Sequence, residues 1–196
     1  VGRLLESNTN IKVVYTREED VFIPLKRRAE IGNENNGKVF ISIHANANNN
    51  RNIKGFETYL LSPGKSEDAV SVAQRENSVI QLEELKNDYE ELSGEGLIMA
   101  TMAQSIFMKE SEDLAAIIQM ELDKQLTTPN RGVKQAGFYV LVGASMPSVL
   151  IEVGFLSNAM EEKSLKRANH RQKIAQGIYE AIKSFKESKE KLLAEE

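Results

Sequence analysis

The segment SVLIEVGFLSN (Ser148–Asn158) contains a single charged residue, Glu152, among mostly apolar neighbours. A run that is apolar on both alternating faces is typical of a central strand in a parallel sheet, because helices cover both sides of such a sheet. A buried ionised carboxylate is costly unless it is paired, bound to a metal or used in chemistry. Glu152 is therefore either one half of a buried ion pair or a functional group. The candidate partners for an ion pair are Arg17, Arg28 and Arg131.

Composition restricts the classes of protein to which the chain can belong. Its 196 residues suit one domain, and 41% hydrophobic residues are enough for a core. The net charge of −4 gives no support for nucleic-acid binding, and no apolar run approaches the ~20 residues that membrane insertion requires. Cysteine is absent and there are only two histidines, so any metal site in this chain depends on carboxylates.

Short apolar segments alternate with helical patterns along the chain. The predicted strands are KVVYTR (12–17), KVFISIHAN (38–46), GFETYLL (55–61), FYVLVG (138–143) and SVLIEVGFL (148–156). Helical patterns occupy 22–34 and the region after Asn158, which caps the last helix. This alternation predicts an α/β fold with an open, mostly parallel sheet and helices on both faces.

Residues 66–126 have an almost unbroken helical pattern, which predicts a long helical insertion. Ser66 is the predicted N-cap of its first helix. In its second helix, apolar residues recur at four-residue intervals with one gap, and such a row predicts packing on a core. The row consists of Ile98, Met102, Ile106, Leu114, Ile118, Leu122 and Leu126.

His44 follows the apolar segment VFISI, at the end of a predicted buried strand. In open α/β sheets, ligands bind beyond the carboxyl ends of the strands, so a histidine at this point is well placed to bind one. The alternative is a histidine that only forms hydrogen bonds at a strand end. The sequence pattern alone leaves both interpretations open.

Four segments, in this order, carry a family resemblance: YTREEDVFIPLKRRAEIGN, VFISIHANAN, GFETYLL and NRGVKQAGFYVLVGASMPSVLIEVGFLSN. They closely resemble the zinc-dependent N-acetylmuramoyl-L-alanine amidases of bacterial cell-wall turnover, of the amidase-3 type. The resemblance is collinear over nearly the whole chain outside the helical region. That region resembles the insertion of family members that separate daughter cells, most like those of Bacteroidetes-type bacteria.

The resemblance implies an enzyme and assigns roles to two residues. His44 corresponds to a ligand of the single zinc ion, and Glu152 corresponds to the catalytic glutamate. The implied reaction is hydrolysis of the amide bond between N-acetylmuramic acid and L-alanine in peptidoglycan, and the implied location is the periplasm or cell envelope. A dry, apolar strand fits this role for Glu152, because desolvation raises a carboxyl pKa toward neutrality.

The sequence also departs from the family pattern. Two further zinc ligands, a histidine and a glutamate, are expected upstream of Val1. We therefore expect residues 1–196 to be a single amidase-like catalytic domain that lacks its first strand and the start of its first helix. This chain alone is then expected to bind zinc weakly or not at all, and to be inactive.

The resemblance further implies that the helical region regulates access to the zinc. In the cell-separating amidases a helix blocks the cleft until an activator with a coiled coil displaces it. The segment QLEELKNDYEEL (81–92) is too acidic to be wholly buried, and a carboxylate from it could occupy the open position on the metal. We predict Glu83 as the blocking carboxylate, with Glu84 as the second choice.

Three hypotheses are consistent with these observations. The chain is part of an active amidase, or it is an inactive relative that binds cell wall or a partner protein. In the third hypothesis the likeness is only architectural, and the chain is a helical interaction module. The third hypothesis requires His44 and Glu152 to lie far apart in space.

Overall fold

The computed structural model describes residues 1–63, 66–83, 89 and 95–195. The four strands are β1 (Phe40–Asn46), β2 (Phe56–Leu61), β3 (Asn130–Ala136) and β4 (Ser148–Phe155). The helices are α1 (Gly2–Asn8), α2 (Leu25–Glu34), α3 (Glu67–Asn77), α4 (Glu95–Ala103), α5 (Met108–Gln125), α6 (Ala159–Leu165) and α7 (Ala168–Glu195). Within these ranges, no helix combines the length and the apolar character needed to cross a membrane.

The strands form one sheet in the order β1-β4-β2-β3. The β1–β4 and β2–β3 pairs are parallel, whereas β2 runs antiparallel to β4. The prediction of an open, mostly parallel sheet is therefore confirmed. All eight residues of β4 are buried, as the apolar run around Glu152 predicts for a central strand.

Helices cover both faces of the sheet, and β4 alternates its side chains between them. Val149 and Ile151 pack in a core cluster with residues of α5 and α7. Leu150 packs in a second cluster with residues of α2 and α3. Glu152 has the same parity as Leu150, so its side chain points to the α2 and α3 side.

Two predicted strands are absent from the structure. KVVYTR (12–17) has no regular secondary structure, and the middle of FYVLVG folds as the 3₁₀ helix Tyr139–Leu141. The strand is instead the more polar segment Asn130–Ala136, which pairs with β2 at the edge of the sheet. Periodicity cannot distinguish a short buried strand from another buried apolar segment, and here the apolar run packs against α2.

The helical region 66–126 divides into a core part and a surface part. In α5, Leu114, Ile118 and Leu122 are buried against the sheet and α7, as predicted. The start of the predicted row is different, because Ile98, Met102 and Ile106 are exposed. The 3₁₀ helix Ser105–Phe107 lies between α4 and α5, so the row does not continue along one helix.

This division predicts a difference between two isoleucines of one row. Ile118 is 0% exposed and Ile106 is 77% exposed. We expect Ile118→Ala to lower the free energy of unfolding by about 2–5 kcal/mol, because it leaves a cavity between α5 and the sheet. Ile106→Ala should change it by less than about 0.5 kcal/mol. Urea denaturation of both variants measures the difference, and equal losses would contradict the assignment of α5 to the core.

Candidate active site

His44, Glu76 and Glu152 bring their side chains together on the α3 side of the sheet. His44 lies directly opposite Glu152 in the parallel β1–β4 pair. The imidazole Nδ1 of His44 is 2.7 Å from Oε2 of Glu76, and its Nε2 is 2.9 Å from Oγ of Ser42. One possible ligand atom from each of the three residues lies within 4.8 Å of the other two. The expected proximity of His44 and Glu152 is thus observed, and the purely architectural hypothesis fails its own requirement.

Glu152 is fully buried, and its carboxyl group is unpaired among the described residues. Its side chain is 0% exposed, and neither carboxylate oxygen has a hydrogen-bond partner in the part of the chain that the structure describes. Burial, with the nearby charges of Glu76 and Glu57, raises its pKa to about 9. Among the described residues, Glu152 therefore has no ion-pair partner, and a buried carboxyl group with a raised pKa is a candidate functional group.

The neighbouring carboxylate, Glu57, has the opposite environment. It lies opposite Glu152 in the antiparallel β2–β4 pair and is also buried. Its oxygens accept hydrogen bonds from the side chains of Asn46, Tyr59, Arg131 and Lys134. Burial opposes ionisation of Glu57, but hydrogen bonds from these partners outweigh burial and lower its pKa. Arg131, a candidate partner of Glu152, is therefore bonded to Glu57 instead.

Glu76 is the site residue that the sequence analysis missed. It belongs to α3, whose residues Ala69, Val72 and Ala73 are buried. Glu76 continues the same spacing of three and four residues, so it lies on the buried face of the helix. An acidic residue on an apolar helix face was the available signal.

The predicted blocking residue Glu83 lies away from His44. The carboxylate of Glu83 is buried and accepts a hydrogen bond of 2.9 Å from the backbone N–H of Leu25. It thereby caps the N-terminus of α2, where the helix has unpaired N–H groups and favours negative charge. Glu84 lies outside the described residues. The carboxylate next to His44 is that of Glu76, not that of Glu83.

A family model described as N-acetylmuramoyl-L-alanine amidase matches residues 1–184 of this chain. The chain belongs to this amidase family.

Related amidases support the assignment over most of the chain. AmiC of Escherichia coli O6:H1 is 33% identical over 187 residues, which cover 93% of this chain and 44% of AmiC. AmiA of Escherichia coli is 32% identical over 186 residues, which cover 93% of this chain and 64% of AmiA. The chain therefore spans less than two thirds of the length of either relative.

Two solved amidase structures support the fold. The N-acetylmuramoyl-L-alanine amidase of Clostridium difficile 630 matches with a TM-score of 0.69 at 26% identity, covering 96% of this chain and 78% of that chain. The CwlD amidase of Clostridioides difficile, solved in complex with the GerS lipoprotein, matches with a TM-score of 0.66 at 27% identity. That match covers 95% of this chain and 80% of the CwlD chain.

The donor atoms of this amidase chain fit a zinc ion. Zinc binds imidazole nitrogen and carboxylate oxygen, and His44, Glu76 and Glu152 offer both. The unpaired oxygens of Glu152 are buried polar atoms that lack a partner among the described residues. A cation is the kind of neighbour that such a carboxylate needs in order to ionise.

The raised pKa of Glu152 predicts a pH-dependent stability of the metal-free protein. Between about pH 4.5, the ordinary value, and about pH 9, the folded state keeps a proton that the unfolded state releases. The free energy of unfolding therefore falls as the pH rises through this window, by at most about 1.4 kcal/mol per unit. Glu152→Gln removes this dependence, so the variant should become progressively more stable than the wild type above pH 4.5. Urea denaturation in a chelating buffer from pH 5 to 9 measures it, and parallel curves for both proteins would contradict it.

Proposed function

We propose that this chain is the catalytic part of an enzyme that hydrolyses the amide bond between N-acetylmuramic acid and L-alanine of peptidoglycan. The observation that carries the proposal is the unpaired, buried Glu152 next to His44 in a chain of the amidase family. The proposed roles are cell-wall turnover and separation of daughter cells, and the proposed location is the periplasm or cell envelope, where peptidoglycan lies. The sequence resemblance supports the cell-separation role.

We propose that Glu152 moves the proton in this reaction. It takes a proton from the attacking water, whose oxygen forms a bond to the lactyl carbonyl carbon. When the carbon–nitrogen bond breaks, Glu152 returns that proton to the amine of the departing alanine. Its burial suits both steps, because desolvation raises the carboxyl pKa and keeps bulk water away from the group.

We propose that His44 holds the zinc ion, together with the two ligands expected upstream of Val1. When bound, the ion supplies Lewis-acid activation of the carbonyl and of water, and its charge favours the ionised form of Glu152. Weak or absent zinc binding by residues 1–196 alone stays a prediction. Glu76 is a further possible donor, beside His44, that this prediction did not include.

We propose that Glu76 blocks the site by autoinhibition. Its carboxylate already contacts His44 and lies beside Glu152, so it would take the position that the reacting water needs. A coiled-coil activator is the proposed partner that displaces the helix, by binding the displaced form more tightly. The exposed apolar side chains of α4, such as Ile98 and Met102, are consistent with a partner protein in this region.

The proposed chemistry predicts separate effects on metal binding and on turnover. In an enzyme extended upstream to include the two expected ligands, Glu152→Gln should keep stoichiometric zinc but lower kcat at least about 100-fold, because it removes the proton carrier and no proposed ligand. His44→Ala should lose both zinc and activity. Metal analysis after dialysis, with release of stem peptides from purified sacculi, measures the two properties. Normal turnover in Glu152→Gln would refute the proposed role of Glu152, whereas an extended wild type that holds zinc but releases no stem peptides, even as Glu76→Ala, would support the inactive-relative alternative.

The proposed blockade predicts opposite outcomes for two glutamates near the site. In the same extended enzyme without activator, Glu76→Ala should raise the release of stem peptides. Glu83→Ala should instead lower the free energy of unfolding by about 1 kcal/mol, because it removes a helix cap, and should not raise activity. If Glu83→Ala activates and Glu76→Ala does not, the original prediction for Glu83 is correct and the proposal for Glu76 is wrong.

A further inference from the structure

Glu76 stands between two residues whose side chains are bonded to other parts of the fold. We infer that Arg75 and Asn77 are positioning residues that hold Glu76 beside His44 and Glu152 whether or not a metal is bound. The inference deepens the proposed blockade and rests on it for its functional meaning. Its structural content, two anchors at the end of α3, can be tested without any enzymatic activity.

Arg75 fastens the last turn of α3 to the end of β1. Its guanidinium Nη1 donates to the backbone carbonyl of Ala47 and, at 3.2 Å, to Oδ1 of Asn46. The Asn46 side chain cannot turn away, because its Nδ2 donates to Oε1 of Glu57 at 2.8 Å and the residue is fully buried. The buried carboxylate of Glu57 therefore orients the acceptor that receives Arg75.

Asn77 fastens the same turn to the segment that follows β3. Its Nδ2 donates to the carbonyl of Gly137 at 2.8 Å, and its Oδ1 accepts from the N–H of Tyr139 at 2.9 Å. One side-chain amide thus pairs with one donor and one acceptor of the main chain. This geometry resembles backbone pairing and restrains both the position and the rotation of the helix end.

The partners of the two anchors lie on different segments, the end of β1 and the segment after β3, and none of them is a proposed metal ligand. Asn46, Ala47, Gly137 and Tyr139 keep their bonds to α3 if the contact between His44 and Glu76 is lost. The hydrogen bonds of Arg75 and Asn77 therefore offset the conformational entropy lost when the end of α3 is ordered. Glu76 then needs no bond to a metal to stay in place. An activator must break these anchors, and not only the contact of Glu76 at the site.

Amide hydrogen exchange of the metal-free protein tests the anchors directly. Arg75→Met and Asn77→Ala should each speed exchange of the α3 amides about tenfold or more, as expected for the loss of two hydrogen bonds, while α5 is unchanged. Glu76→Ala should leave α3 within about twofold of the wild type, since its neighbours keep the helix in place. The inference is overturned if Glu76→Ala loosens α3 as much as the anchor variants do, or if both anchor variants leave α3 protected.

Two further variants separate anchoring from general loosening and from charge. Asn33→Ala removes the same kind of amide pair, with Gly143 and Ser145, but from α2 and not from α3. It should leave exchange in α3 unchanged. Arg75→Lys keeps the positive charge near Glu152 but lacks the planar guanidinium, and it should give exchange between that of the wild type and Arg75→Met. It also serves as the milder change if Arg75→Met does not fold.

Activity gives a readout that a merely structural role would not produce. In the extended enzyme without activator, Arg75→Met and Asn77→Ala should raise release of stem peptides from sacculi, whereas Asn33→Ala should not. A variant that is only destabilised loses activity, and one that releases Glu76 gains it. If every protein including Glu76→Ala is inactive, the proposed function fails, and the exchange experiment still decides whether Arg75 and Asn77 anchor the helix.

Discussion

The parallel pairing of β1 with β4 is the constraint on which the site depends. It places His44 opposite Glu152, and the burial of the whole of β4 takes the carboxyl group out of water. The buried carboxylate of Glu161 links the end of β4 to the residue before β2, since it accepts hydrogen bonds from the N–H groups of Phe155 and Gly55. A shift of one residue in this register would turn Glu152 to the opposite face of the sheet, away from His44.

Two buried carboxylates in one row of the sheet are driven to opposite protonation behaviour by their partners. Glu57 accepts hydrogen bonds from two cations, a phenol and an amide, which lower its pKa and favour its charged form. Glu152 has no hydrogen-bond partner among the described residues, and its pKa rises. Neighbouring acids whose pKa values are pushed apart are a pattern of acid–base sites. Here the fixed charge of Glu57 organises Asn46 and Arg75, and Glu152 remains free to exchange a proton.

The helical region serves two physical purposes that its uniform pattern conceals. The α5 helix packs between the sheet and α7 and belongs to the core. The α3 helix packs Ala69, Val72 and Ala73 in the second core cluster and brings Glu76 to the site. Gln104, just after α4, bonds to the backbone of Leu141, Gly143 and Ala144.

The local pattern of the chain determined the α/β class, the strands β1, β2 and β4, and the choice of His44 and Glu152 as candidate site residues. These features follow from apolar periodicity and from a charged residue placed where burial makes it costly. Tertiary structure decided which carboxylate meets His44, because the choice between Glu76 and Glu83 depends on how α3 ends and not on acidity. Tertiary structure also brought Glu57 to the site. Because β2 runs antiparallel to β4, the beginning of β2 lies beside the end of β4. The rule that ligands bind at the carboxyl ends of parallel strands does not identify a residue at the beginning of a strand. Pairing with β2 likewise determined the polar edge strand β3. An edge strand has a neighbour on one side only, so it does not require the apolar run by which a buried strand is recognised in a sequence.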